Sequence, residues 1–295
     1  MSSNLTIDNQ EVVIAGKLLR RGRLRAEYYD TIQDPPAFFQ KLREAGGRAD
    51  LFTFLQSVAD RTPRFQYHVE PDRIAVMPIT TYEAWWKSLK DKTRNMVRKA
   101  AKTGVEIRTV EFNDELVAGI KVLYDESPLR QGKPFKHYGK TLEVLKRDHA
   151  SYLERSEFIG AFFEGKLIGF IKLVHGNQVA NLMQILSLMA HRDKAPTNAL
   201  IAKAVEICAQ KQVPNLHYGM WSRRGIGEFK INHKFECVEV PRYFVPLSWK
   251  GELLLKGKLH HQLTDYLPEK MLDTMTAWRA KWYGIRYKQQ TAAGR

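Results

Sequence analysis

The stretch FIGAFFEGKLIGFIKLV, Phe158 to Val174, consists of two apolar runs joined by Glu164-Gly165-Lys166. A short glycine-containing turn between two runs of strand-forming side chains predicts an antiparallel hairpin. His175-Gly176-Asn177 turns the chain again into Gln178 to Leu186, so three strands follow one another as a meander. Pro196 then opens an alanine-rich helix that runs to Lys211, Pro214 ends it, and Leu216-His217-Tyr218 is a short strand. A helix between two strands makes a crossover, so this last strand is expected to lie parallel to its predecessor.

On the N-terminal side, Glu83 to Thr103 places Trp86, Leu89, Met96, Val97 and Ala100 on one face, with Gly104 at its end, which predicts a single helix. Its opposite face lines up Lys87, Lys90, Arg94, Arg98 and Lys102, a stripe suited to phosphates. Val105, Ile107 and Thr109 alternate as a strand, and Asp114 to Tyr124 and Leu142 to Leu153 read as helices around a polar loop, Glu126 to Gly139. Further upstream, two apolar stretches flank the basic segment Lys17 to Arg25, Asp34-Pro35-Pro36 breaks the pattern, and Ala37 to Ala45 is helical. With the apolar Leu51 to Leu55, this describes a small α/β unit closing near Pro78. Downstream, Ser222 to Asn232 reads as helix and Val238 to Leu247 as a strand interrupted by Pro241. The expected division is 1–83 for a small companion domain, 84–250 for the main domain, and 251–295 for a basic helical tail.

A chain of 295 residues, 44% hydrophobic and 27% charged, is long enough for about two domains with their own cores, and it is neither fibrous nor wholly disordered. The stretch Leu173 to Ala190, free of Lys, Arg, Asp and Glu, contains His175, Asn177, Gln178, Asn181 and Gln184, which a bilayer-spanning helix would not accommodate. Cys208 and Cys237 have no CxxC spacing, and the first ten residues lack a signal-peptide pattern, so the expected location is cytoplasmic. The net charge of +15 is uneven. Residues 1–83 carry 11 basic and 11 acidic side chains, residues 84–112 carry 8 and 3, and residues 250–295 carry 9 and 4. The surplus suits a polyanionic partner: a phosphorylated cofactor, a nucleic acid, a phosphate-linked precursor or an acidic membrane surface.

The order of elements resembles the GNAT acyltransferase fold. The local sequences are most similar to the Fem-type (FemAB-like) branch, whose members transfer amino acids from aminoacyl-tRNA to cell-wall precursors, and to its acetyltransferase-like relatives. Three segments carry the resemblance: Ser88 to Asn95 continuing through Arg98-Lys99-Ala100 to Gly104-Val105; the turn Glu164-Gly165-Lys166 with its strands; and Gly225 to Phe235, with Glu228-Phe229-Lys230 followed by His233-Lys234-Phe235. The resemblance implies a mixed α/β (α+β) fold with an antiparallel meander, a crossover helix and a splayed parallel strand pair, beside a smaller, incomplete GNAT-like N-terminal domain.

The resemblance also implies a site. Phe229-Lys230 matches the functional Phe-Lys pair of Fem-type enzymes, which gives Lys230 the role of stabilising the oxyanion formed when an amine attacks an acyl carbonyl. Tyr218, at the end of the strand after the crossover, falls where the donor enters, and its phenol suits protonation of a leaving group. The loop takes the place of the acceptor-binding segment, with Arg130, Gln131 and Tyr138 as substrate-binding residues, joined by Phe229 and Arg94, and with Glu126 and His137 as candidate bases. The acyl-CoA phosphate loop of GNAT enzymes corresponds to Arg192 to Thr197. Here both glycine positions are replaced and Pro196 removes an N–H donor, so binding would rest on Arg192, Lys194, Ala195, Thr197 and Asn198.

The expected activity is transfer of an acyl group from acyl-CoA to a primary amine of a small molecule or precursor by direct attack. Aminoacyl-tRNA is the alternative donor, and a non-catalytic basic binding module is the reading from another class. His260-His261 and the pair His233 and Cys237 do not form a metal-ligand pattern, and no GxSxG, P-loop or HExxH occurs. Met271, Ala277, Trp278, Trp282 and Ile285 give the basic tail an aromatic face that suits the core or, peripherally, an anionic membrane.

Overall fold

The turn that decides the fold forms as expected: Glu164 and Gly165 take φ values of 50° and 74°, the left-handed pair that a two-residue hairpin turn requires. A computed structural model describes residues 2–130, 133–222, 225–259, 278, 282 and 283. In chain order the elements are β1 (Ser2–Ile7), β2 (Gln10–Ala15), β3 (Arg21–Leu24), α1 (Pro35–Glu44), β4 (Leu51–Leu55), β5 (His68–Pro78), α2 (Tyr82–Ser88), α3 (Asp91–Lys102), β6 (Glu106–Val110) and α4 (Asp114–Asp125). They continue with β7 (Leu129–Arg130), β8 (Lys133–Pro134), α5 (Leu142–His149), β9 (Ser156–Phe163), β10 (Lys166–His175), β11 (Ala180–Ser187) and α6 (Pro196–Gln210). The last four are β12 (Asn215–Met220), α7 (Ile226–Asn232), β13 (Glu236–Pro246) and α8 (Trp249–Lys256).

Two compact units are interleaved along the chain, whereas the sequence reading divides it consecutively. One unit is Met1–Asn95 with Lys172–Met183 and Ile201–His260. Among the described residues, the other is Met96–Ile171 with Gln184–Leu200.

In the first unit the strand order is β1-β2-β3-β4-β13-β5-β12-β11. β13 pairs antiparallel with both β4 and β5, and β12 pairs parallel with β11 through Ala180 to Leu216 and Asn181 to His217, as the α6 crossover demands. The core is aromatic: Phe38, Phe39 and Leu42 of α1 pack with Phe52, Phe54 and Tyr243. Asp34 caps α1 by accepting from the Ala37 N–H at 3.1 Å, and the proline pair Pro35-Pro36, read as a break, starts the helix where N–H groups are not needed.

In the second unit the order is β11-β10-β9-β6, with β6 antiparallel to β9. Leu116, Val117, Ile120, Leu123 and Tyr124 form one face of α4 and pack with Leu145, Phe158 and Phe170.

Three expectations need correction. The helix expected over 83–103 is two helices, because Leu89 turns extended (φ −68°, ψ 146°) and ends α2. The cationic stripe is broken there too. Arg94 donates to the Trp86 and Lys87 carbonyls at 3.4 and 3.3 Å and to Asp91 at 2.6 Å, so its guanidinium ties off the end of α2. Second, β13 runs through Pro241 without interruption, since Pro241 stands opposite Pro71 of β5 and the missing N–H groups fall on one rung. Third, the helix expected to reach Leu153 ends at His149. Of the tail face, Met271, Ala277 and Ile285 lie outside the described residues, while Trp278 and Trp282 are exposed.

Candidate functional site

β12 leaves its ladder with β5 through a register shift between His217 and Met220, where Gly219 takes φ +62°. A bulge of this kind re-aims the strand end. The chain then returns as α7, and Gly227 makes that return close: a Cβ there would sit 2.1 Å from the Ser222 carbonyl oxygen, so only glycine fits. The result turns Lys230 inward. Its ammonium donates to the Met220 carbonyl at 2.7 Å and lies 4.7 Å from the centre of the Tyr218 ring.

Lys230 is only 4% exposed and, among the described residues, forms no ion pair with a carboxylate. Burial lowers its pKa to about 8 and raises that of Tyr218 to about 12. A buried ammonium compensated only by a carbonyl and an aromatic face is costly unless something else uses its charge. Phe229, the other member of the pair, packs against His233 with ring centres 4.2 Å apart. His233 donates from Nδ1 to the Phe229 carbonyl at 2.8 Å, and its own carbonyl accepts from Trp85 Nε1 at 3.0 Å. Phe229 and His233 thus fix α7.

His217 was missed as a site residue by the sequence reading. It is 1% exposed, the polar group nearest its ring nitrogens is the Gly219 backbone, and its ring lies tilted against that of Tyr28 with centres 4.6 Å apart. Burial first, and the Lys230 charge second, hold its pKa at about 4. Tyr28 also walls a cavity of about 450 Å³, floored by Leu55, Val58, Ile74 and Val240 and edged by Gln56 and Arg64. The only advance signal for His217 was its place beside Tyr218 on a short strand.

Apart from Arg94, the other expected residues lie in the second unit, and most are engaged in holding the backbone. Glu126 accepts from Arg130 Nη2 at 2.8 Å and from the Ala190 N–H at 3.0 Å. Arg130 also donates to the Leu123 and Ser187 carbonyls at 3.0 and 3.3 Å and stacks over Phe135. Glu126 and Arg130 therefore lock the loop to the end of β11. The ring of His137 is 4.8 Å from that of Tyr124, and its pKa falls to about 4 through burial and the charges of Lys140 and Lys136. Tyr138 is 46% exposed, and Gln131 lies outside the described residues.

The segment proposed to hold CoA does not fit a pyrophosphate cradled by backbone N–H groups. Ala195 is left-handed at φ +56°, Pro196 has no N–H, and the Asn198 N–H is spent on the Ala195 carbonyl at 3.1 Å. Thr197 Oγ1 exchanges a 2.8 Å hydrogen bond with Ser187 Oγ. Lys194 pairs with Asp193 at 3.3 Å and lies 4.7 Å over the Phe163 ring, which leaves the exposed Arg192 as the outward cation of the segment. Among the described residues there is no group of three or more His, Cys, Asp or Glu placed to hold a metal, and no helix is long and apolar enough to cross a membrane.

This architecture is the GNAT-like acyltransferase fold, and the Fem-type branch is matched at the level of fold. A solved structure of FemX superposes with a TM-score of 0.59 at 8% identity, covering 82% of this chain and 87% of that one. A domain of a protein named as a lysylphosphatidylglycerol synthetase from Agrobacterium fabrum gives 0.56 at 13% identity, over 86% and 87%. L-PGS from Bacillus licheniformis gives 0.54 at 14% identity, over 88% of each chain. No protein-family model matches the chain, and no curated protein matches it in sequence. What is shared at these identities is the fold.

Proposed function

We propose that this chain is an acyltransferase that moves an ester-linked acyl group, of the aminoacyl-tRNA kind, to a primary amine. The observation that carries this reading is the buried Lys230 ammonium, which among the described residues has no carboxylate partner and uses one of its three N–H donors on Met220. The two remaining donors suit the oxygen that gains charge when the amine attacks the carbonyl carbon. The C–N bond forms, the C–O bond of the donor breaks, and the proton lost by the amine is gained by the leaving oxygen with Tyr218 as relay. A phenol raised to about 12 matches a ribose hydroxyl better than a thiol near 8.5, which leaves without an acid's help.

The acyl-CoA reading loses support at residues 195–198, where Pro196 has no N–H and those of Ala195 and Asn198 are used. The test is single-turnover transfer from a charged-tRNA pool to a panel of primary amines, in wild type and Lys230→Met. Transfer by wild type and a loss of about a hundredfold in the variant support the reading. Transfer only from acyl-CoA, or none from either donor by a folded protein, overturns it.

A further inference from the structure

We propose that α8 is a docking element for anionic phospholipid surfaces, an inference independent of the acyltransferase reading. Helix α8 is pinned from its inner side. Ser248 donates to Asp50 Oδ1 at 2.7 Å, the Leu247 N–H donates to the Asp50 carbonyl at 2.9 Å, and a Cβ on Gly251 would lie 2.0 Å from that carbonyl oxygen. The orientation of the helix is thereby fixed, and its outward stripe is a consequence of packing. That stripe runs Trp249, Leu253 and Lys256 at helical spacing, with Trp249 71% and Leu253 61% exposed, and Leu259 follows at 64%.

The charge around the stripe selects the occupant. Lys250 and Lys256 flank it against the single acid Glu252, and the Lys250 ammonium lies 5.8 Å from the Trp249 ring. A tryptophan and leucines that enter the headgroup boundary, ringed by lysines that reach back to lipid phosphates, form the composition of an interfacial helix. A nucleic acid would use the lysines and the indole and leave Leu253 and Leu259 in water; a protein groove would use the leucines and leave the lysines unmatched.

The full chain is tested by flotation with vesicles of phosphatidylcholine alone and of phosphatidylcholine with phosphatidylglycerol. Wild type is expected to float with the anionic vesicles only, less so as salt rises. Trp249→Ala with Leu253→Ala should lower the bound fraction at least tenfold, and Lys250→Gln with Lys256→Gln should remove the salt dependence. Thermal melts of both variants check that each is folded. Trp249→Phe should also remove a blue shift in tryptophan emission seen on adding anionic vesicles. No flotation of wild type, or flotation unaffected in both multiple variants, overturns the proposal. So does a wild-type dimer that the Trp249→Ala, Leu253→Ala variant converts to monomer, which would make a second copy the occupant. A stripe-dependent affinity for RNA without vesicle binding overturns it as well.

Discussion

The Lys230 ammonium is anchored on the carbonyl of Met220, 2.7 Å away, at the residue where β12 ends. A cation placed there is held at a strand terminus and on a helix at once, which is rigid support of the kind that the proposed oxyanion role would need. Lys230→Met keeps the volume and removes the charge, and the expected outcome is a loss of about a hundredfold in kcat with the fold intact. Wild-type activity should decline above about pH 8 as the ammonium deprotonates. The sign for stability is opposite. The folded value lies below the ordinary 10.5, so the unfolded chain holds more protons between about 8 and 10.5, and stability rises with pH across that window. In Lys230→Met that rise should shrink, as measured by urea unfolding at pH 7.5 and 10.

The meander and crossover were legible because their signals are local: Glu164-Gly165 sets the hairpin turn and Pro196 starts α6. β5 was not legible, since its first half is largely exposed, contains Pro71, and is fixed by pairing with β13, more than 150 residues away. The same reason hid the burial of Lys230. Nothing in a lysine within a short polar helix reports that a bulge at Gly219 and a close approach at Gly227 will turn it inward. Glu126 and Arg130 were found as a polar cluster, but residue type alone did not distinguish a base from a buttress. The backbone groups that tie the pair down, the Ala190 N–H and the Ser187 carbonyl, are contributed by a segment about 60 residues further on.

Glu126→Gln leaves the Arg130 guanidinium without its counter-charge in a site where the two side chains are only 14% and 15% exposed. Breaking a largely buried pair costs about 3 kcal/mol, so Tm should fall by several degrees while turnover of the folded protein changes only a few-fold. An unchanged Tm with abolished turnover would instead make Glu126 the base.

His217 and His233 stay neutral in the folded chain, each with a pKa near 4 through burial, against an ordinary 6.5. The unfolded chain therefore binds more protons between about pH 4 and 6.5, and stability is lost as pH falls through that range. His217→Phe preserves the ring contact with Tyr28 and removes one titrating group, so its Tm should fall less steeply than that of wild type between pH 6.5 and 4.5. Parallel Tm curves would exclude this coupling.

Asp50 holds β4 to the start of α8, and its carboxylate accepts from the Arg20 N–H at 2.8 Å and from Ser248 at 2.7 Å. Burial pushes its pKa up, yet these hydrogen bonds prevail and the net shift is downward. The stabilisation is present above the usual carboxylate range and is lost as pH falls below it. Asp50→Asn should cost about 1–3 kcal/mol at pH 7 and much less at pH 3, as read from urea unfolding at the two pH values. An equal cost at both would show that the charge contributes nothing.

Residues 192–198 offer the test of the proposed donor. If acyl-CoA binds, it must lean on side chains in place of backbone donors, and Arg192 is the exposed cation available, since Lys194 is turned onto Phe163 and Asp193. Arg192→Ala should then raise the CoA dissociation constant, tenfold for each ~1.4 kcal/mol lost. An aminoacyl-tRNA would instead spread its phosphates over many cations. Its affinity should fall steeply with salt, and removing Arg192 should reduce the salt slope by about one phosphate's worth. Calorimetry with acetyl-CoA and longer acyl-CoAs, beside filter binding of charged tRNA at 50 and 200 mM salt, separates the two. Tight CoA binding that ignores Arg192→Ala would overturn both the phosphate contact and the ester-donor reading. Weak or absent CoA binding with salt-sensitive tRNA binding is the expected result, because Ala195, Pro196 and Asn198 leave the start of α6 with few free N–H groups for a pyrophosphate.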